Sequence, residues 1–183
     1  MFIRILAFFL LIFLLPIIIF ISIIIFIEDG SPLLFTQSRV GLNYSFFKIF
    51  KFRTMKNNTP NVATHLLQNP NQYLLKIGKF LRKASLDELP NLINIIKGEM
   101  VFVGPRPALY NQDDLMALRV ATGVDKLKPG LTGWAQINGR DDISIEKKVQ
   151  LEQEYLQKKS ILFDIEIIIK TFTNVIFSKG VNH

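Results

Sequence analysis

The hydrophobic positions divide the chain unevenly. Residues 5–27 contain no charge, and only Pro16 and Ser22 interrupt the apolar run. At 1.5 Å per residue the run makes a helix of roughly 34 Å, enough to cross a bilayer. It is too long for the core of a cleaved leader, and no small-x-small cleavage site follows it. A mid-helix proline removes a hydrogen bond and bends the helix. Pro16 therefore leaves two courses open, a kinked span or a turn back to the side of entry, and length alone favours the span. Arg4 stands alone before the run and Glu28-Asp29 follow it, so flanking charge orients it only weakly. The basic residues from Arg39 onward favour a cytoplasmic location for the rest.

Beyond residue 30 the apolar positions come in short bursts. Residues 33–35 and 46–55 read as strands around a turn at Gly41-Leu42-Asn43. Residues 57–71 are a polar, proline-containing loop, and 73–83 a short basic helix. Ser85 and Glu88 have capping-box spacing. Leu86, Leu89, Leu92, Ile93 and Ile96 then recur at helical period, and Gly98 is a stop. Residues 100–103 form a strand ended by Gly104-Pro105-Arg106-Pro107. Residues 111–122 predict a helix and 143–159 a polar helix. The glycine-rich stretch 128–136 reads by itself as a turn. Residues 161–177 are very apolar but carry Asp164, Glu166 and Lys170, which suits an interfacial or core helix better than a span. No internal repeat is visible. The expected class is α+β, mostly α: a membrane helix over 1–30 and a catalytic domain over 31–183 with interfacial amphipathic helices.

Composition narrows the chemistry. The 183 residues include no cysteine, which removes disulfide frameworks and thiolate catalysis. The two histidines, His65 and His183, have no group spaced to orient a base. The formal charge of +7 suits an anionic partner without choosing among phosphate ligand, lipid headgroup and nucleic acid.

The stretch 85–107 concentrates the candidate chemistry. Asp87 and Glu88 are adjacent carboxylates at a helix start, where the macrodipole alone would favour acids. Asn91 shares a face with Asp87. Arg106 lies between two prolines that fix φ on both sides, more rigidity than a surface charge needs. Lys76, Lys79, Arg82 and Lys83 lead into the carboxylates, where cations would offset the charge of a diphosphate. Lys51 and Arg53 lie in the acid-free segment 36–56, which either docks on anionic lipid or lines the phosphate site.

Five motifs in order carry a family resemblance. They are Phe35-Thr36-Gln37 with Arg39 and Gly41; Phe50-Lys51-Phe52-Arg53-Thr54-Met55; Ser85-Leu86-Asp87-Glu88-Leu89-Pro90; Gly104-Pro105-Arg106-Pro107; and Pro129-Gly130-Leu131-Thr132-Gly133-Trp134-Ala135-Gln136 with Asn138-Gly139-Arg140. Together they resemble the bacterial sugar transferases, and more narrowly the small monotopic phosphoglycosyl transferases.

That resemblance implies transfer of a phosphosugar from a UDP-sugar to undecaprenyl phosphate, with release of UMP, to initiate a glycan. It implies Mg²⁺, the cytoplasmic face of the bacterial inner membrane, and contact with membrane lipid but not nucleic acid. Downstream glycosyltransferases are possible partners. It implies a re-entrant N-terminal helix broken at Pro16, in place of the span that length favours. Asp87 becomes the nucleophile and Glu88 completes the dyad, either or both holding the metal. Arg106, Arg82, Arg53, Lys51, Gln136 and Arg140 become substrate-binding candidates. Three features depart from the family pattern: only Arg4 stands before the apolar run, where a basic pair and an aspartate are usual; Leu15 replaces a serine usual before the proline; and Glu152 replaces an aspartate. Two other classes compete, a basic membrane-anchored adaptor and a spanning glycosyltransferase that would release UDP.

Overall fold

A computed structural model describes residues 1–60, 69–139 and 143–176. The apolar run forms a 28-residue helix, α1 (Phe2–Asp29), with Pro16 inside it. Gly30, at φ 65°, ends it. Ala7, Ile21 and Ile25 are buried, with Leu10, Leu11, Leu14 and Ile18 packed beside them. These positions recur every three or four residues and make one stripe. Pro16 lies on the opposite, exposed face, so the stripe runs past the proline uninterrupted. The outer face exposes Phe2, Phe9, Phe13, Phe20 and Phe26, with Phe13 at 78%.

The stripe enters two adjoining clusters. Its first half meets Phe47, Ile49, Leu92, Ile95 and Met100. Its second half meets Phe52, Leu75 and Leu81. Both ends of α1 are tied to the same body. Arg4 Nε donates to the Ile96 carbonyl at 2.6 Å, and the Asp29 carboxylate takes Arg53 Nη1 and the backbone N–H of Asn57.

Strands β1 (Leu34–Val40) and β2 (Phe46–Phe52) form an antiparallel hairpin, joined by β4 (Ala108–Leu109) on the far side of β1. β1 therefore runs five residues beyond the predicted 33–35, and β2 stops before 55. The turn between them is a 3-10 turn over Leu42–Tyr44. Fully buried Asn94 clips this sheet to the next helix, accepting from the Phe50 N–H and donating to the Lys48 carbonyl and to Glu99.

The basic helix expected over 73–83 is shorter. A 3-10 turn spans Pro70–Tyr73, and α2 covers Gly78–Lys83. Gly78, the first residue of α2, packs against the Thr54 carbonyl, which a Cβ there would overlap. The capping box is not formed. Ser85 sits in the left-handed region at φ 54° and its side chain caps nothing. A 3-10 turn over Leu86–Asn91 follows and runs into α3 (Leu92–Lys97). Pro90 lies inside that turn; it cannot donate the i→i−4 bond of a regular first turn, so the chain takes the tighter winding.

β3 (Val101–Val103) pairs in parallel with β5 (Gly130–Thr132), so the stretch read as a turn contains a strand. Its glycines permit the pairing, since a Cβ at Gly130 or Gly133 would overlap the Gly104 backbone. The remaining helices are α4 (Asp113–Thr122), α5 (Trp134–Ile137), α6 (Ile145–Lys158) and α7 (Ile161–Ile176). Ser144 caps α6 by accepting from the Lys147 N–H. α7 buries Ile167 and exposes Ile161, Leu162, Ile165, Ile169 and Phe172. The class is α+β and mostly helical, with one long apolar helix at the N-terminus.

Candidate active site

Period two along β2 aims Lys51 inward. Phe47 and Ile49 fill the two preceding inward positions in the core, and the third places an ammonium at the wall of a cleft. The 3-10 turn brings both carboxylates to it. Lys51 Nζ lies 2.6 Å from Glu88 Oε1 and 3.9 Å from Asp87 Oδ2. Arg106, in the loop between β3 and β4, approaches Glu88 Oε1 at 3.4 Å. Lys51, Glu88, Arg106, Arg39 and Asn91 line one cleft together with Gly130 and Leu131, while Asp87 and Arg82 lie beside it and are not among its lining residues.

The two carboxylates are not equivalent. Glu88 takes the close cationic contacts, while Lys51 stands farther from Asp87. Burial pushes the Asp87 carboxyl up to about 6; Lys51 pulls it back, the neighbouring Glu88 pushes further, and Arg82 and Arg106 pull down. Asp87 is thus a partly buried carboxylate with an ordinary titration moved towards neutrality. Arg82 stands beside this pair with Nε on Thr54 Oγ1 at 2.9 Å. Burial lowers its pKa and Asp87 raises it.

The other candidates fall elsewhere. Arg53 does not face the carboxylates. It is 7% exposed, and its guanidinium binds the carbonyls of Pro32, Asp29 and Gly30 and the Asp29 carboxylate. It closes the C-terminal end of α1, where orphan carbonyls attract a cation. Gln136 lies behind β5, donating to the Leu131 carbonyl at 3.2 Å. Arg140 lies outside the described residues, as do His65 and His183. Among the described residues no group of three His, Cys, Asp or Glu side chains is placed to hold a metal.

Sequence reasoning missed Arg119, on α4, and left Glu152, on α6, without a role. Their side chains are 6% and 2% exposed and form a two-pronged pair, Nε to Oε2 at 2.8 Å and Nη2 to Oε1 at 2.5 Å. The available signal was an arginine and a glutamate at positions whose helical neighbours are apolar. Arg39 was noted in the basic segment and within a motif, but not as a site residue; its Nη1 donates to the Pro107 carbonyl at 3.2 Å.

Two adjacent, inequivalent carboxylates, Glu88 lining the cleft and Asp87 beside it, close to Lys51, Arg106 and Arg82, suit transfer of an anionic group, and sequence comparison identifies the class. The bacterial sugar transferase family model matches residues 1–178. The chain belongs to the bacterial sugar transferase family. It is a transferase. It is 40% identical over 166 residues to the uncharacterized sugar transferase EpsL of Bacillus subtilis, covering 90% of this chain and 80% of that one. It is 36% identical over 181 residues to the exopolysaccharide production protein ExoY of Rhizobium meliloti, covering 90% and 79%. The UDP-glucose:undecaprenyl-phosphate glucose-1-phosphate transferase of Escherichia coli is 38% identical over 164 residues, which are 85% of this chain and 35% of that longer protein.

Proposed function

We propose that this sugar transferase moves a phosphosugar from a UDP-sugar to undecaprenyl phosphate at the cytoplasmic face of the inner membrane, initiating a glycan. The observation that carries the reading is the inequivalence of Asp87 and Glu88. Both side chains are equally buried, but Lys51 and Arg106 approach Glu88 more closely than Asp87, so the Asp87 oxygens are the less engaged by cations and the better placed to attack. The Asp87 carboxylate attacks the β-phosphorus of the donor. The bond from that phosphorus to the bridging oxygen breaks, UMP leaves, and an acyl-linked phosphosugar remains. A phosphate oxygen of the polyprenyl carrier then attacks the same phosphorus and releases Asp87. Arg106, Lys51 and Arg82 offset the diphosphate charge, and Arg106 offers the planar fork that meets two phosphate oxygens.

Mg²⁺ fits this donor set in a limited way. Two adjacent carboxylates are hard oxygen ligands, and this ion commonly takes one or two carboxylates with substrate phosphates and waters completing the shell. Asp87 and Glu88 would hold it, and when bound it lowers the repulsion between carboxylate and diphosphate.

The membrane reading is re-entrant. α1 is continuous through Pro16, without the break there that the resemblance implies, and it runs along the catalytic body, bound to it at both ends through Arg4 and Asp29; a spanning course would draw the Arg4 end away from that body. The exposed phenylalanines of α1 and the exposed apolar face of α7 form the kind of surface that lipid covers. Phe2→Cys and Ser31→Cys in this cysteine-free chain should label from the same side; opposite sides would refute the re-entrant course. The chemistry is tested with donor alone. Intact-protein mass should rise by one phosphosugar in wild type and not in Asp87→Asn, and an adduct that persists in that variant would displace Asp87 from the role.

A further inference from the structure

The loop that carries Arg106 is held at nearly every carbonyl. Tyr155 Oη donates to Val103 O at 3.1 Å. The Gly130 N–H donates to Pro105 O at 2.8 Å. Arg119 Nη2 donates to Arg106 O at 3.0 Å, and Arg39 Nη1 donates to Pro107 O at 3.2 Å. The Arg106 side chain behaves differently. It is 36% exposed, and its Nη1 approaches Glu88 at 3.4 Å. A backbone fixed at these carbonyls thus carries a side chain that is about one-third exposed and reaches the cleft.

Arg119 is the unexpected member of this set. Two charges taken out of water are a poor route to stability, since apolar residues of the same volume often do as well or better. Their arrangement points to another role. Glu152 engages Arg119 with both carboxylate oxygens, which fixes the guanidinium plane and leaves Nη2 aimed at the Arg106 carbonyl. Tyr155 follows Glu152 by three residues on α6, so one helix face supplies both Glu152 and the hydroxyl that holds Val103. We infer that Arg119 and Glu152 are positioning residues: this buried pair, 13 residues from Arg106 at its nearer member, locates the Arg106 backbone so that its guanidinium meets the diphosphate of the substrate. The catalytic consequence rests on the phosphosugar-transfer reading; the positioning itself does not.

The test therefore uses a probe that needs no sugar. Inorganic pyrophosphate binding to the full-length, detergent-solubilised chain is measured by calorimetry in wild type, in Arg106→Met, in the pair replacement Arg119→Met/Glu152→Leu, and in the triple combination. The pair replacement leaves no lone buried charge and should fold, which a thermal melt checks; Arg119→Lys, with Glu152 intact, serves if it does not. Pyrophosphate affinity should fall about tenfold in the pair replacement, the scale of losing a partner that orients a ligand-binding group. With Arg106 already removed, the same replacement should change affinity less than about twofold, because coupled sites are not additive. Unchanged affinity in a folded pair replacement, an equal loss without Arg106, or no Arg106-dependent binding in wild type would each overturn the inference. UMP release from a UDP-sugar, measured separately on wild type, reports on the transfer reading alone.

Discussion

Two ion-pair clusters meet at Arg106, and they are built to opposite designs. In the cleft, Glu88 is shared between Lys51 at 2.6 Å and Arg106 at 3.4 Å, while Asp87 stands 3.9 Å from Lys51. Behind the loop, Arg119 and Glu152 are joined by two short bonds and nearly sealed from solvent. The cleft has surplus positive charge and loose geometry, so an incoming diphosphate can displace existing contacts at little cost. The sealed pair is saturated, so breaking it strands a charge in a low-dielectric interior. Similar residue types thus perform exchange in one place and rigid support in the other, and burial with bidentate geometry separates them.

That contrast can be broken most severely at Asp87. Asp87→Asn should lower turnover by roughly 10⁴-fold or more, the scale of losing a nucleophile, while the melting temperature stays near wild type. Turnover close to wild type in purified, Mg²⁺-supplied protein would remove Asp87 from the centre. In the sealed cluster the effect should appear as stability instead. Glu152→Gln strands Arg119 and should cost about 3–5 kcal/mol in denaturant unfolding. If it melted like wild type while Lys51→Met did not, the assignment of the two clusters would be reversed.

A smaller effect sharpens the cleft side. Arg106→Lys keeps the charge but loses the planar fork, and kcat/KM should fall by more than about threefold, a threshold well under the roughly tenfold that even a weak charge-assisted hydrogen bond is worth. A smaller change would make Arg106 structural. The smallest effect is in pH. Because Asp87 titrates at about 6, kcat/KM should rise through that pH as the nucleophile ionises. Lys51→Met removes the cation that pulls this value down and should move the acid limb higher. The sign for stability is opposite to a salt-bridged carboxylate. Between about pH 4 and 6 the native state holds the Asp87 proton more tightly than the unfolded chain, so the Asp87 contribution is greatest at low pH and falls as pH rises through about 6.

Local signals announced part of this architecture. The apolar run, the hairpin, the helices beginning near 113, 145 and 161, and the carboxylates beside Arg106 all follow from period and spacing. The failures share a cause, which is contact between distant segments. Ser85 and Glu88 look like a capping box, yet Glu88 goes to Lys51 on β2 and Pro90 tightens the turn. Arg53 looks like a phosphate ligand, yet the orphan carbonyls at the end of α1 claim it. Gly130 looks like a turn, yet it pairs with β3 because Gly104 lets two backbones touch. Arg119 and Glu152 meet across two helices 33 positions apart, and no local pattern marks such a partner.

The identity of the released nucleotide tests the central claim most directly. Purified protein is given a labelled UDP-sugar, undecaprenyl phosphate and Mg²⁺, and the soluble products are separated. Phosphosugar transfer through Asp87 predicts UMP, released in step with a lipid-linked diphosphate sugar and absent from Asp87→Asn. UDP as the product would mean a glycosidic bond had formed instead, and undiminished UMP from Asp87→Asn would mean another group is the nucleophile.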